Sequence, residues 1–136
     1  MTTSIITADD ACPLFRAAMD RVDGKEAIFV LPVDADGRKI TNPMLVAFGE
    51  EKTAACEPKT IFRAVFNANA EAFLVAHNHP SGNPKPSRDD VEMTRKLMAG
   101  AELLGIRLLD HLILGSPECE EDRGFVSIIE HLEEVR

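Results

Sequence analysis

Residues 71–76, EAFLVA, form a short and nearly continuous apolar run that ends against His77. A run of this length without alternation suits a central strand buried on both faces, which must be covered by helices on each side. The rest of the chain has to supply those two layers.

Residues 8–22 read as a helix, with acidic residues in the first turn and Leu14, Phe15, Ala18, Met19 and Val22 at helical spacing. Pro13 is tolerable there only near the helix start. In EAIFVLPVDADGRKITNPMLVAFG the pattern predicts two strands joined as a hairpin at Asp36-Gly37. After a polar loop, EEKTAACE, Pro58 is placed to open a helix, PKTIFRAVFNANA, whose stripe is Ile61, Phe62, Val65 and Phe66 and whose exit lies at Asn67 and Asn69. Ser87 can cap a long helix running to about Leu104, with Gly105 at its stop. IRLLDHLILG is another strand, SPECEEDRG an acidic loop, FVSII a last strand and EHLEEVR a helical turn or two. This order predicts an α/β protein, a three-layer α/β/α sandwich with a mixed sheet between helices.

With 136 residues, 45% hydrophobic and 28% charged, residues 1–136 are expected to form a single domain. No apolar run approaches the roughly 20 residues of a membrane span. The opening MTTSIITADD lacks the basic and apolar regions of a secretion signal, so the expected location is cytoplasmic. Cys12, Cys56 and Cys119 are odd in number and far apart, which argues against disulfides and against a Cys-x-x-Cys metal clip. A net charge of -8 and the absence of Trp and Tyr argue against nucleic-acid binding by this chain alone. Homo-oligomerisation is left open.

The stretch VAHNHPSGNPKPSRDD, residues 75–90, carries the chemistry. On a local reading His77 and His79 are turn residues, and Ser87 with Asp90 forms a capping-box variant worth about 1 kcal/mol. Together, two imidazoles and a carboxylate are also the ligand set of a catalytic zinc, which keeps three protein ligands and an open position. His77 and His79 are two apart and share a side if the backbone stays extended. At about 100° per residue, Thr94, Leu97, Ala101 and Leu104 lie within roughly 40° of Asp90 on their helix, so Asp90 faces the core side. A carboxylate aimed inward needs a partner, and a metal ion is one. Asp89 points about 100° away, toward solvent and the helix dipole.

The spacing H-x-H-P-x6-S-x2-D, met by His77, His79, Pro80, Ser87 and Asp90, resembles the JAMM motif of the MPN-domain metalloproteases. HNHPSGNPKPS followed by DD, then LLGIRLLDHLILG and the helix PKTIFRAVFNANA, looks like the RadC branch, over residues 26–129. The resemblance implies a cytidine-deaminase-like fold and one Zn2+ per chain, held by His77, His79 and Asp90. It implies that Glu26, by itself a charged strand end, is the general base, and that Ser87 hydrogen-bonds the developing oxyanion while still capping its helix. The expected activity is hydrolysis of an amide, peptide or isopeptide bond in a peptide or protein substrate. Two other readings remain: a non-catalytic binding module of the same fold, and a DNA-repair accessory protein.

RadC proteins usually carry a helix-hairpin-helix region before this domain, where only one helix is expected in this sequence, and Asn78 stands where deubiquitinating relatives have Ser or Thr. Asp110 or His111 is a candidate to orient a ligand, or else a core residue satisfied by the backbone. Ser81 and Gly82 are expected in the turn beside the metal, and His131 at the surface of an acidic tail.

Overall fold

The computed structural model of the chain describes residues 6–22, 25–49, 56–79, 81–115 and 124–134. Its elements, in chain order, are α1 (Ala8–Met19), β1 (Ala27–Val33), β2 (Met44–Phe48), α2 (Pro58–Asn67), β3 (Ala72–Asn78), α3 (Arg88–Leu104), β4 (Arg107–Leu114), β5 (Phe125–Ser127) and α4 (Ile128–Glu134). The five strands form one sheet in the order β2-β1-β3-β4-β5. β3 runs antiparallel to β1 and parallel to β4, so the sheet is mixed as expected. Among the described residues no helix is long and apolar enough to cross a membrane.

The apolar run that opened the reading is the central strand. All of Ala72 to His77 is buried, because alternate side chains serve two cores. Ala72, Leu74 and Ala76 pack with Ala27, Phe29 and Leu31 against Ala11, Phe15 and Met19 of α1. Phe73 and Val75 pack with Ile28 and Val30 against Ile61, Phe62 and Val65 of α2 and Leu97 and Ala101 of α3. Truncating a buried ring such as Phe73 costs about 3–5 kcal/mol by this packing. The same period of two carries on to His77 and, in β1, back to Glu26, placing both on the α2/α3 side.

Several local expectations change. The Asp36-Gly37 turn forms, with Asp34 donating its N–H to the Arg38 carbonyl (2.8 Å) and Val33 bridging to Lys39. It does not lead straight into β2, which resumes pairing only at Met44 opposite Val30. Pro43, without an N–H, stands just before that restart. In α1 the helix runs through Pro13 rather than starting near it. Phe66 and Leu104 are 49% and 47% exposed, so the apolar stripes of α2 and α3 are narrower than their spacing suggests. FVSII is not one strand: Ser127 accepts the Glu130 amide at 3.1 Å and a helix begins at Ile128. The Ser-x-x-Glu pattern at Ser127 and Glu130 is the start signal that hydrophobicity obscured. His131 is half-buried in that helix instead of lying on the surface. Residues 50–55 of the predicted loop EEKTAACE, residues 116–123 of SPECEEDRG, with Cys119, and the motif's Pro80 lie outside the described residues.

Candidate metal centre

Three elements build the site. β3 ends on the α2/α3 side with His77, the chain turns at His79, and α3 starts with Asp90 in its first turn. The turn is made as expected: Gly82, at φ 86°, donates its N–H to the His79 carbonyl at 2.8 Å. Ser87 caps α3, accepting the Asp90 amide at 3.1 Å, while Asp90 Oδ2 accepts the Ser87 N–H at 2.8 Å.

Asp90 also faces both histidines. Its Oδ1 lies 2.9 Å from His77 Nε2 and its Oδ2 lies 3.0 Å from His79 Nε2. Burial works to raise the Asp90 pKa, but the two imidazoles and the Ser87 N–H outweigh it and hold the carboxyl far below its ordinary range. Asp90 is therefore ionised. The contact with Asp90 works in the opposite sense on His79, raising its pKa against the effect of burial, with the Asn83 carbonyl helping.

The neighbouring hydrogen bonds decide which ring nitrogens carry protons. The Thr94 hydroxyl donates its one hydrogen to the Asp90 carbonyl at 2.9 Å, so at 2.6 Å it accepts from His111 Nδ1. His111 is fully buried and its pKa is pushed well below the ordinary value, first by desolvation and then by His77. Its ring is neutral, so Nε2 accepts, and His77 Nδ1 donates to it at 3.1 Å. His77 Nε2 is then the ring nitrogen turned toward Asp90. That atom is buried, and the polar atom it faces is Asp90 Oδ1 at 2.9 Å. His79 is held through both nitrogens, Nδ1 donating to the Asn83 carbonyl at 2.9 Å and Nε2 lying 3.0 Å from Asp90 Oδ2.

Two imidazole nitrogens and a carboxylate thus converge on one place. With the imidazoles neutral, such a set of groups can bind a cation. One ligand atom from each of His77, His79 and Asp90 lies within 4.8 Å of the others, so the group could hold a metal ion. The donor set fits zinc, for which imidazole and carboxylate are ordinary ligands. Each imidazole is oriented through its second nitrogen, as metal-ligating histidines generally are.

Glu26 immediately precedes β1 and lines the same cavity of about 30 Å³ as His77, Asp90 and His111. Its floor is Ile28, Ile61 and Val75, and it has room for a water molecule. Asp89 is exposed as expected, yet it borders this cavity too. Of the neighbouring pair, His111 touches a candidate ligand and Asp110 does not. Asp110 accepts the Ser127 hydroxyl at 2.8 Å and the His111 amide at 2.7 Å, and burial raises its pKa. Thr94 was read only as a core-side residue, and Asn78 only as a departure from a family pattern. Nothing in a single sequence shows that Thr94 meets His111 across 17 residues.

A family model described as a RadC-like JAB domain matches residues 5–132. A UPF0758 protein of Trichormus variabilis is 46% identical over 92 residues, covering 68% of this chain and 37% of that protein. UPF0758 protein YsxA of Bacillus subtilis is 39% identical over 92 residues, with the same shares. A UPF0758 protein of Coprothermobacter proteolyticus is 37% identical over 114 residues, 82% of this chain and 48% of that one. The chain spans less than half the length of these curated relatives, and their names state no activity.

Proposed function

The chain belongs to the RadC-like JAB domain family, and from that premise we propose that it is a zinc-dependent hydrolase of an amide, peptide or isopeptide bond in a peptide or protein substrate. The observation that carries this reading is the convergence of His77, His79 and Asp90, one ligand atom of each within 4.8 Å of the others at the buried end of β3. His77, His79 and Asp90 would hold the ion. When bound, zinc supplies Lewis acidity, polarising a carbonyl and lowering the pKa of water from about 15.7 toward about 7.

The remaining work falls to the chain's own groups. Glu26, on the wall of the same cavity, takes the proton of the attacking water and passes it to the leaving amine. Ser87 accepts the Asp90 amide through its oxygen, which leaves its hydroxyl hydrogen for the oxygen of a carbonyl under attack. Capping and oxyanion stabilisation use different parts of one hydroxyl. The apolar floor of Ile28, Ile61 and Val75 keeps bulk water from the inner side of the site and strengthens these interactions.

The test is cleavage profiling on a library of peptides and isopeptides, wild type against Glu26→Gln, with zinc measured in both. One zinc per chain in each protein and turnover only in wild type is the expected result. Equal cleavage by both sinks the mechanism, and a native protein that takes up no zinc sinks the site. Zinc uptake with no cleavage by wild type makes the domain a binding module.

A further inference from the structure

We propose that Asn78 is a positioning residue for Glu26, an inference that rests on reading Glu26 as the proton carrier. The last backbone pair between β1 and β3 is Ile28 with His77. One step further along, Ala27 faces Asn78, where β3 is about to turn toward His79. There a side chain continues the ladder in place of the backbone. Asn78 Oδ1 accepts the Ala27 N–H at 2.8 Å, and Nδ2 donates to the Lys25 carbonyl at 3.0 Å.

Those two groups belong to the peptide units on either side of Glu26. Each unit is planar, so tethering both fixes φ and ψ of the residue between them, and with them the direction of its Cα–Cβ bond. On the other side the Glu26 carbonyl accepts the Gly49 N–H at 3.1 Å. Among the described residues no hydrogen bond holds the Glu26 carboxylate itself, so its aim is inherited from this backbone. The anchor is the residue between the two histidines. A displacement of β3 would therefore move ligands and base together.

The chemistry of the clamp is narrow. It needs a donor and an acceptor side by side on a short stem, which a carboxamide has and a hydroxyl or carboxylate does not. Asn78→Asp keeps the acceptor for Ala27 and loses the donor to Lys25; Asn78→Ala loses both. The candidate ligands keep their own supports in either variant: His77 on His111, His79 on Asn83 and Asp90 on Ser87.

The experiment is nuclear magnetic resonance on the full chain labelled at the glutamate carboxyl carbon and the histidine ring nitrogens, titrated with zinc chloride. In wild type and both variants, zinc is expected to move the His77 and His79 ring signals alike. In Asn78→Ala the Ala27 amide should exchange with solvent roughly tenfold faster, the consequence of one lost hydrogen bond. The response of the Glu26 carboxyl signal to zinc should shrink in Asn78→Asp and further in Asn78→Ala. On any library peptide that wild type cleaves, kcat should fall by about 10- to 100-fold while KM stays nearly constant. An unchanged Ala27 exchange, or a Glu26 response equal in wild type and Asn78→Ala, overturns the clamp and leaves the metal reading intact. Ring signals that ignore zinc in wild type overturn the metal reading; the clamp is then decided on Ala27 exchange and Glu26 backbone order, which need no metal.

Discussion

Helices α1 and α3 begin with the same device. Thr7 accepts the Asp10 amide at 3.2 Å and Ser87 accepts the Asp90 amide at 3.1 Å, and each aspartate answers the N–H of its cap. Asp10 stays exposed, with one oxygen on both the amide and the hydroxyl of Thr7. Asp90 returns only one such bond and turns the rest of its carboxylate to His77 and His79. The local motif is the same in both places. What makes one a cap and the other a cap plus a ligand is the element opposite: the end of β3, with His77, faces the start of α3, whereas the Asp10 carboxylate turns back to Thr7.

The largest expected contrast is in metal binding. Asp90→Asn should weaken zinc binding more than roughly 100-fold, beyond the usual effect of altering a residue behind a ligand, while Asp10→Asn leaves it unchanged. Isothermal titration with zinc measures both, and equal affinities would erase the distinction between the two boxes. The next effect isolates the support behind His77. Replacing His111 by Phe fills similar space but removes the acceptor of the His77 Nδ1–H, and should cost about 10- to 100-fold in zinc affinity. If zinc binds His111→Phe as tightly as wild type, the Thr94–His111–His77 chain has only a packing role.

Acid and base titration of the metal-free protein sets Asp90 against a third carboxylate, Asp110. The folded pKa of Asp90 is lowered, so its contribution to stability is present above the ordinary value of 3.8 and lost as the pH falls below it. The folded pKa of Asp110 is raised by burial, so its penalty is absent below 3.8 and grows as the pH rises through the folded value. Urea unfolding across this range should show Asp110→Asn flattening the decline on the alkaline side, by at most about 1.4 kcal/mol per pH unit. A decline as steep in Asp110→Asn as in wild type would assign it to other groups. The smallest effect is the shared one. Thr7→Ala and Ser87→Ala should each cost about 1 kcal/mol of stability, because the cap is alike, yet only Ser87→Ala should also lower kcat. A fall in kcat with Thr7→Ala as well would mean that the loss is one of stability rather than of oxyanion binding.

Much of this was legible because it is local. Apolar continuity over residues 72–76 predicts the doubly covered strand, and the 3.6-residue period aims Asp90 inward with Thr94, Leu97 and Ala101, all buried. Where periodicity met an edge it overreached: Phe66 and Leu104 carry the right spacing, but each lies at the margin of its helix's buried face. The end of β5 was misread because Ile128 and Ile129 continue an apolar run, whereas Ser127 and Glu130 already contain the cap that starts a helix.

Residue types and spacing alone therefore determined the central strand, the Ser87 cap of α3 and the three side chains able to meet at one ion. They could not determine what stands behind those side chains. The Thr94–His111–His77 chain joins α3, β4 and β3, and the Asn78 clamp spans 51 residues to Ala27. Such bonds depend on sheet order and register, which bring groups distant in sequence within hydrogen-bond distance without imposing any period on the sequence. The tertiary structure alone decides which ring nitrogen of each histidine is turned to Asp90, and so where a cation could bind.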